Sequence, residues 1–218
     1  MCGVERRPWH AIAHQLDRPS VLSYAAYALD NWRRLELNGP IALGNIVLLQ
    51  NFLAGLDEEW FILIHVDIEA KTAPALITIG SAQRAVSEDR PDELEHQLGL
   101  IAAAVQDMYT TLLRMPEQCD PYIYYHRVRP YIHGWKDQPA LPRGVVYQGV
   151  TADKGHPQQF RGETGAQSSL IPCLDAALSI GHRDDPLRPY LREMRAYMPL
   201  QHRVCIAAIE QGPCIREY

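Results

Sequence analysis

Apolar residues recur three and four positions apart through much of the chain, which is the spacing of an amphipathic helix. Pro8 suits the first turn of one such helix. A second helix is predicted over residues 18–37, where the apolar positions at helical spacing are Leu22, Ala25, Ala26, Leu29 and Trp32. The Asn-Gly-Pro sequence at 38–40 should end it.

The most apolar part of the chain covers residues 41–55 and 58–85. Pro74 should kink or divide the second of these segments, because proline removes a backbone donor and clashes with the preceding turn. Another helix should begin near Pro91, where acidic residues occupy the first turn, and continue to about residue 115.

Three shorter helices are predicted over residues 168–181, 186–198 and 200–210. The polar segment before them, residues 136–166, has little periodicity and should be a loop. No run of alternating apolar and polar residues indicates a strand. The pattern therefore predicts an all-α fold in which residues 1–218 form a single unit.

The helix predicted over residues 186–198 has two distinct faces. One stripe consists of Tyr190, Leu191, Met194, Tyr197 and Met198. Methionines and aromatic rings at helical spacing usually belong to a core, so this stripe should be buried. The other face, with Arg192, Glu193 and Arg195, should be solvated.

Composition excludes several classes of protein. Of the 218 residues, 47% are hydrophobic and 22% are charged, which is ordinary for a water-soluble globular protein. A net charge of −5 and a pI near 6.0 give no basic surface for nucleic acid or an anionic membrane. No segment has the length and apolarity of a membrane span or the pattern of a signal peptide. The five cysteines are odd in number and scattered, which favours a reducing, cytoplasmic setting.

His65 lies inside the apolar sequence WFILIHVDIEA, one helical turn from both Phe61 and Glu69. A histidine in such a place is often a hydrogen-bonded core residue. It can also be a base that faces a pocket or, together with Glu69 at i+4, a metal ligand. The sequence leaves these alternatives open.

The sequence PYIYYHRVRPYIHGWK combines aromatic rings with arginines. If it is helical, one stripe contains Tyr122, Tyr125, Arg129 and Ile132. An arginine aligned with aromatic rings can clamp a carboxylate while the rings hold a flat group. It can equally be a solvated arginine that lies over the rings. Pro130 should bend the helix beside Arg129.

The segment FRGETGAQSSLIPCLD places small and polar residues directly before an apolar helix. Ser168 or Ser169 as an N-cap, with glycines for the bend, would explain it structurally. Alternatively, the backbone amides of this loop bind an anion or the polar edge of a ligand.

Two of these motifs give the chain a resemblance to the indoleamine 2,3-dioxygenase family, the haem enzymes that cleave the indole ring of tryptophan. GETGAQSS (162–169) is similar to the family's Gly-Gly-Ser-Ala-Gly-Gln-Ser-Ser loop. YLREMRAYMP followed by HR (190–203) is similar to a second family signature. HGWK, VVYQGV and SYAAYALDNW align as well, so the resemblance extends from about Pro8 to the end of the sequence.

The resemblance implies roles for several residues in binding the substrate. Arg129 matches the arginine that holds the substrate carboxylate, and Tyr124 and Tyr125 occupy the neighbouring aromatic positions. Phe61 matches an aromatic residue that packs on the indole, and Tyr24 matches a tyrosine at the back wall of the pocket.

Other implied roles concern a haem b cofactor. His65 falls on the distal side of the haem, where it can act in catalysis by a hydrogen bond to the indole N–H or to bound oxygen. The loop lies against the haem and the polar groups of the substrate, with Thr164 facing both. The other implied haem contacts are Gly162, Gly165 and Ile171.

The sequence also departs from the family pattern. Glu163 replaces a family glycine, and its carboxylate is expected to crowd or repel an anionic haem propionate. The proximal histidine that binds iron in the family corresponds to a helix beyond Tyr218, so no metal ligand is expected in this chain. The family's small N-terminal domain would precede Met1. The resemblance thus implies an incomplete large domain, either a fragment or a degenerate relative.

The function implied is oxidative cleavage of tryptophan or a related indole by O₂ to N-formylkynurenine, the first step of the kynurenine pathway. The expected partners are the small indole substrate and O₂, without nucleic acid or membrane. Two alternatives remain open from the sequence. The chain could be a truncated or degenerate helical domain that binds indole or haem without catalysis, or a haem enzyme of the pyrrolnitrin-pathway type that acts on tryptophan.

Overall fold

A computed structural model describes residues 6–181 and 185–218, and this part of the chain is mainly helical. The α-helices in chain order are α1 (Arg6–Gln15), α2 (Leu56–Ser87), α3 (Pro91–Leu112), α4 (Pro121–Ile123), α5 (Arg129–Ile132), α6 (Leu170–Ala177), α7 (Arg188–Arg195) and α8 (Leu200–Gln211). The π-helical turns are π1 (Ala25–Leu29) and π2 (Tyr124–Val128). The short 3-10 turns are Met115–Glu117, Gly165–Gln167 and Ile215–Glu217. The strands are β1 (Trp32–Arg34) and β2 (Ile46–Leu48).

Helix α2 is the central element, and it forms a hairpin with α3. It is apolar on several faces, as expected of a helix with neighbours on more than one side. It continues through Pro74, so the predicted division at that residue is wrong. Helix α3 begins at Pro91 with acids in its first turn, which confirms the predicted start. Neither helix, nor any other among the described residues, has the combined length and apolarity needed to cross a bilayer.

The helix predicted over residues 18–37 is not formed, apart from the turn π1. The Asn31 side chain donates hydrogen bonds to the carbonyls of Tyr27 at 3.1 Å and Gln50 at 2.8 Å. The chain then leaves the turn as strand β1, which pairs antiparallel with β2 in a two-stranded sheet. Contacts with residues distant in sequence therefore override the helical periodicity here, and the sequence signal for this hairpin was missed.

Two apolar clusters meet along α2. The first lies between the C-terminal half of α2 and helices α3, α6 and α8, and includes Ile79, Met198 and Ile206. The second lies between the N-terminal half of α2, π1, β2 and π2, and includes Ile62 and Val128. The three shorter helices predicted near the C-terminal end are confirmed as α6, α7 and α8.

The predicted buried stripe on α7 is confirmed at its centre, where Met194, Tyr197 and Met198 are buried. The segment 136–166 consists of turns with isolated bridges, as the sequence predicted. Its last part is held by the Tyr197 hydroxyl, which accepts a hydrogen bond from the Arg161 amide at 2.9 Å. This contact sets where the GETGAQSS loop begins.

Gly162 allows that loop to approach the chain after α5. Its amide donates to the His133 carbonyl at 3.1 Å. A Cβ atom at position 162 would lie 1.8 Å from the Ile132 carbonyl oxygen, far inside van der Waals contact. Backbone packing therefore leaves no room for a side chain larger than a hydrogen atom at position 162. The haem contact that the resemblance implies for Gly162 stays a prediction.

Replacement of Gly162 by alanine should destabilise the protein by about 3 kcal/mol, because rigid backbone must move to admit the methyl group. Gly99→Ala is the matched control, since Gly99 is exposed on α3 and its Cβ would meet nothing within 4 Å. That change should stabilise the helix by about 0.5–1 kcal/mol. Urea unfolding of both variants measures the difference. Equal effects of the two substitutions would contradict the packing assigned to Gly162.

Candidate active site

The N-terminal half of α2 carries an aromatic cluster. The Phe61 ring lies 4.4 Å from the His65 ring and stacks on Tyr124 at 3.9 Å, measured between ring centroids. The buried Tyr24 ring meets His65 edge-on at 5.9 Å. Four residues that the sequence assigned to one site therefore lie together, although they come from three separate parts of the chain.

The hydrogen bonding of His65 defines its tautomer. Its Nδ1 atom lies 2.8 Å from the Phe61 carbonyl oxygen. Because a carbonyl oxygen only accepts, Nδ1 carries the proton and Nε2 presents a lone pair. Burial lowers the pKa of His65, against the raising effect of this hydrogen bond, so the imidazole stays neutral at neutral pH.

The Nε2 atom of His65 faces the GETGAQSS loop. A Cβ atom built on Gly165 would lie 3.7 Å from it, so the loop backbone passes directly over the imidazole. His65 is therefore hydrogen-bonded through Nδ1, while Nε2 has no hydrogen-bond partner among the described residues, and its role toward a ligand stays a prediction.

Glu69 joins three segments of the chain one helical turn beyond His65. Its Oε1 atom accepts hydrogen bonds from the Tyr24 hydroxyl at 2.9 Å and the Ser168 hydroxyl at 2.6 Å. Burial raises the pKa of Glu69, and these two hydrogen bonds oppose that shift. The carboxyl group is therefore used to position the loop. A search of the described residues finds no cluster of three or more potential metal-ligating side chains.

The polar side chains of the loop turn inward. Gln167 accepts a hydrogen bond from the Tyr24 amide and donates one to the Gly162 carbonyl, both at 2.8 Å. Thr164 accepts from the Ala166 amide at 3.4 Å and so caps the following 3-10 turn. Its hydroxyl is engaged within the loop, and Thr164 does not line the cleft described next.

An open cleft of about 1000 Å³ lies on the other side of the loop. Gly165 and Ile171 line it, and the haem contacts implied for them stay predictions. Its further apolar lining is Pro172, Ala176 and Leu191. Its basic lining is Arg188, Arg192 and Arg195. Its acidic lining is Asp175 and Glu210, which the three arginines outnumber, so the surface favours an apolar group that carries carboxylates.

The basic side of this cleft was missed by sequence reasoning, which assigned Arg192 and Arg195 to solvent. Their spacing from Arg188, at i+4 and i+7, is the signal that places all three on one helical face. Arg195 also forms an ion pair with Glu210 at 2.7 Å.

Arg129 begins α5 and is partly buried. Within the described part of the chain, its guanidinium forms no hydrogen bond or ion pair. The stripe predicted from simple helical spacing is wrong, since the Tyr125 side chain is 66% exposed and contacts His126. The π2 turn ahead of Pro130 changes the helical phase, so that Tyr124 is buried in place of Tyr125.

Glu163 is only 3% exposed, and its Oε2 atom has no hydrogen-bond partner. Burial raises the pKa of this carboxyl to about 7, against the opposing effect of Arg129. The negative charge of Glu163 also contributes to the raised pKa values of the Tyr27 and Tyr124 hydroxyls. Glu163 therefore belongs with Arg129 and the aromatic cluster. Glu163 is not among the residues that line the cleft, and the expectation that it crowds a propionate stays a prediction.

The buried carboxyl of Glu163 should make stability depend on pH. The folded protein retains its proton to higher pH than the unfolded chain does, so stability falls as pH rises from 4.5 to about 7 and then levels off. Over this pH range the free energy of unfolding of the wild-type protein should fall by about 3 kcal/mol relative to that of Glu163→Gln. Urea unfolding across this pH range measures it. A constant difference between the two proteins would show that Glu163 titrates normally.

The chain is similar to known proteins along almost its whole length. The family model described as indoleamine 2,3-dioxygenase matches residues 6–218. The chain is 34% identical to indoleamine 2,3-dioxygenase 1 of Rattus norvegicus over 213 residues, which cover 97% of this chain and 52% of the relative.

Two further relatives show the same coverage. Identity is 30% to indoleamine 2,3-dioxygenase 2 of Homo sapiens, covering 97% of this chain and 51% of the relative. It is 31% to a 6-hydroxytryptophan 2,3-dioxygenase of Fusarium equiseti, covering 97% and 52%. The chain thus spans about half the length of these relatives. From the extent of these matches, the chain belongs to the indoleamine 2,3-dioxygenase family.

Proposed function

We propose that this chain provides the substrate-facing part of a haem-dependent dioxygenase, which cleaves the indole ring of tryptophan or a related indole to N-formylkynurenine. One observation carries the proposal. The unprotonated Nε2 of His65 lies where the aromatic cluster meets the loop residue Gly165, and Gly165 also lines the open cleft. A hydrogen-bond acceptor for a ligand therefore lies between the aromatic cluster and a cleft large enough for a cofactor.

The cleft fits haem b. Its volume of about 1000 Å³ is sufficient for the macrocycle, and Ile171 and Leu191 offer apolar contact with its face. Arg188 and Arg192 would pair with the two propionates. When bound, haem iron supplies the O₂ chemistry by which both oxygen atoms enter the C2–C3 bond of the indole.

The side chains around the indole provide orientation and exclude water. Phe61 and Tyr124 form a flat apolar wall, with Tyr24 behind it. His65 accepts the indole N–H through Nε2, because burial keeps the imidazole neutral. Arg129 binds the substrate carboxylate with a guanidinium that has no partner of its own among the described residues.

The relatives support the class of substrate. Their names specify indoleamines and, for the fungal enzyme, 6-hydroxytryptophan. An aromatic wall with polar groups at its ends can accept an indole with or without a ring substituent. We therefore propose O₂ and a small indole as partners of the complete protein, without nucleic acid or membrane.

A cytoplasmic location is part of the same proposal. The described cysteines, Cys119, Cys173, Cys205 and Cys214, are all free, which suits a reducing compartment. Cys2 lies outside the described residues.

The function is tested with the native protein that contains residues 1–218, purified with haem and supplied with reductant, O₂ and L-tryptophan. We expect N-formylkynurenine to form and haem absorption to change when tryptophan is added. Tight haem and tryptophan binding without any product would favour the non-catalytic alternative. A different oxidised product would favour the pyrrolnitrin-pathway type of reaction.

Arg129→Ala should weaken the use of a carboxylated indole by about 2–4 kcal/mol, or about 30- to 1000-fold in kcat/KM, because a charge-assisted pair is lost. Indoles without a carboxylate should be affected far less. Arg127→Ala is the matched control, since Arg127 lies two residues away and is exposed. Equal losses for both kinds of substrate would show that Arg129 has only a structural role.

A further inference from the structure

Two opposite charges lie near each other in the aromatic cluster without forming a pair. The Arg129 guanidinium is close enough to lower the pKa of Glu163. Yet no hydrogen bond or ion pair joins these two side chains in the described structure. Both charged groups are therefore available to a ligand that can lie between or beside them.

The backbone holds Glu163 in this place. Its amide donates to the Ile132 carbonyl at 2.9 Å, three residues after Arg129 in the same helix. The neighbouring Gly162 forms the equivalent bond to His133, and its close packing leaves the loop no room to slide. The separation between Glu163 and Arg129 is thus built into the fold.

The amide bond from Glu163 to Ile132 also ties it to the continuous helical segment that carries Tyr124 and Arg129. The charge of Glu163 raises the pKa values of Tyr24, Tyr27 and Tyr124, each after burial and other contributions. Tyr124 is the residue that stacks on Phe61. An indole that lies against Tyr124 would therefore place an attached group beside the segment to which Glu163 is bonded.

A buried carboxyl oxygen without a partner is unfavourable, and a cation with several donors would satisfy it. A primary ammonium group has three such donors. We propose that Glu163 binds the ammonium group of the indole substrate, beside the carboxylate site at Arg129. This arrangement selects amino-bearing indoles over indole acids. The inference rests on the proposed function, for which it names the specificity-determining residue.

The test measures equilibrium binding of the wild-type protein and Glu163→Gln to three ligands by calorimetry. L-tryptophan carries both charges, tryptamine only the ammonium, and indole-3-propionate only the carboxylate. Measurements at about pH 8 keep the Glu163 carboxyl ionised. Glu95→Gln removes the same charge from an exposed position on α3 and is the control.

Glu163→Gln should weaken tryptamine binding about 10- to 100-fold, because a charge-assisted hydrogen bond is lost. Tryptophan should change in the same direction. Indole-3-propionate should bind more tightly, since Glu163 no longer opposes its carboxylate at Arg129. Arg129→Gln should have the opposite effect on the two singly charged ligands, with weaker binding of indole-3-propionate and tighter binding of tryptamine. Glu95→Gln should leave all three affinities unchanged.

Equal changes for all three ligands in Glu163→Gln would overturn the proposal, and so would no change. If that variant does not fold, the affinities of the wild-type protein still test the proposal. Tighter binding of indole-3-propionate than of tryptamine would contradict the assignment of Glu163. Failure of the wild type to bind any of the three also overturns it. The dioxygenase function is tested separately by the formation of product. If the protein binds amines selectively but forms no N-formylkynurenine, the ammonium site is supported and the proposed function is refuted.

Discussion

The hydrogen bonds at the half-buried Glu69 carboxyl are the constraint on which the site depends. They tie the Tyr24 hydroxyl and the Ser168 hydroxyl to the middle of α2, one turn from His65. Together with the backbone bonds of Gly162 and Glu163, they hold the loop so that Gly165 lies over His65 and also lines the cleft. A half-buried carboxyl that is satisfied in this way stabilises one arrangement over its alternatives, because leaving it unpaired is costly.

The half-buried Glu69 and the buried Glu163 differ in how their carboxyl groups are paired. Glu69 has its partners inside the protein, whereas Glu163 has an oxygen with none. Such an unsatisfied group lowers stability, as its raised pKa shows, and it persists where the surrounding backbone leaves no alternative. The neighbouring Arg129 is likewise without a partner among the described residues. Charges left apart in this way are typical of a surface whose complement is a ligand.

The fold could be predicted where periodicity and local chemistry agree. Helix α3 was placed by Pro91 and the acids after it, and α7 by its buried methionines. The hairpin of β1 and β2 could not be predicted, because Asn31 turns the chain through a bond to Gln50 that no local pattern encodes. The site shows the same limit. Motif resemblance singled out His65 and Arg129 as candidates, whereas the bond from Ser168 to Glu69 joins residues 99 positions apart, which no local pattern encodes.

The central claim is that His65 presents an unprotonated Nε2 to the indole N–H. Nitrogen-15 NMR of the His65 imidazole, recorded before and after addition of L-tryptophan, tests it most directly. We expect a neutral ring protonated at Nδ1, with tryptophan shifting the Nε2 resonance toward that of a hydrogen-bonded acceptor while Nδ1 stays unchanged. A proton on Nε2 in the free protein, or an Nε2 resonance that saturating tryptophan leaves unmoved, would contradict the account.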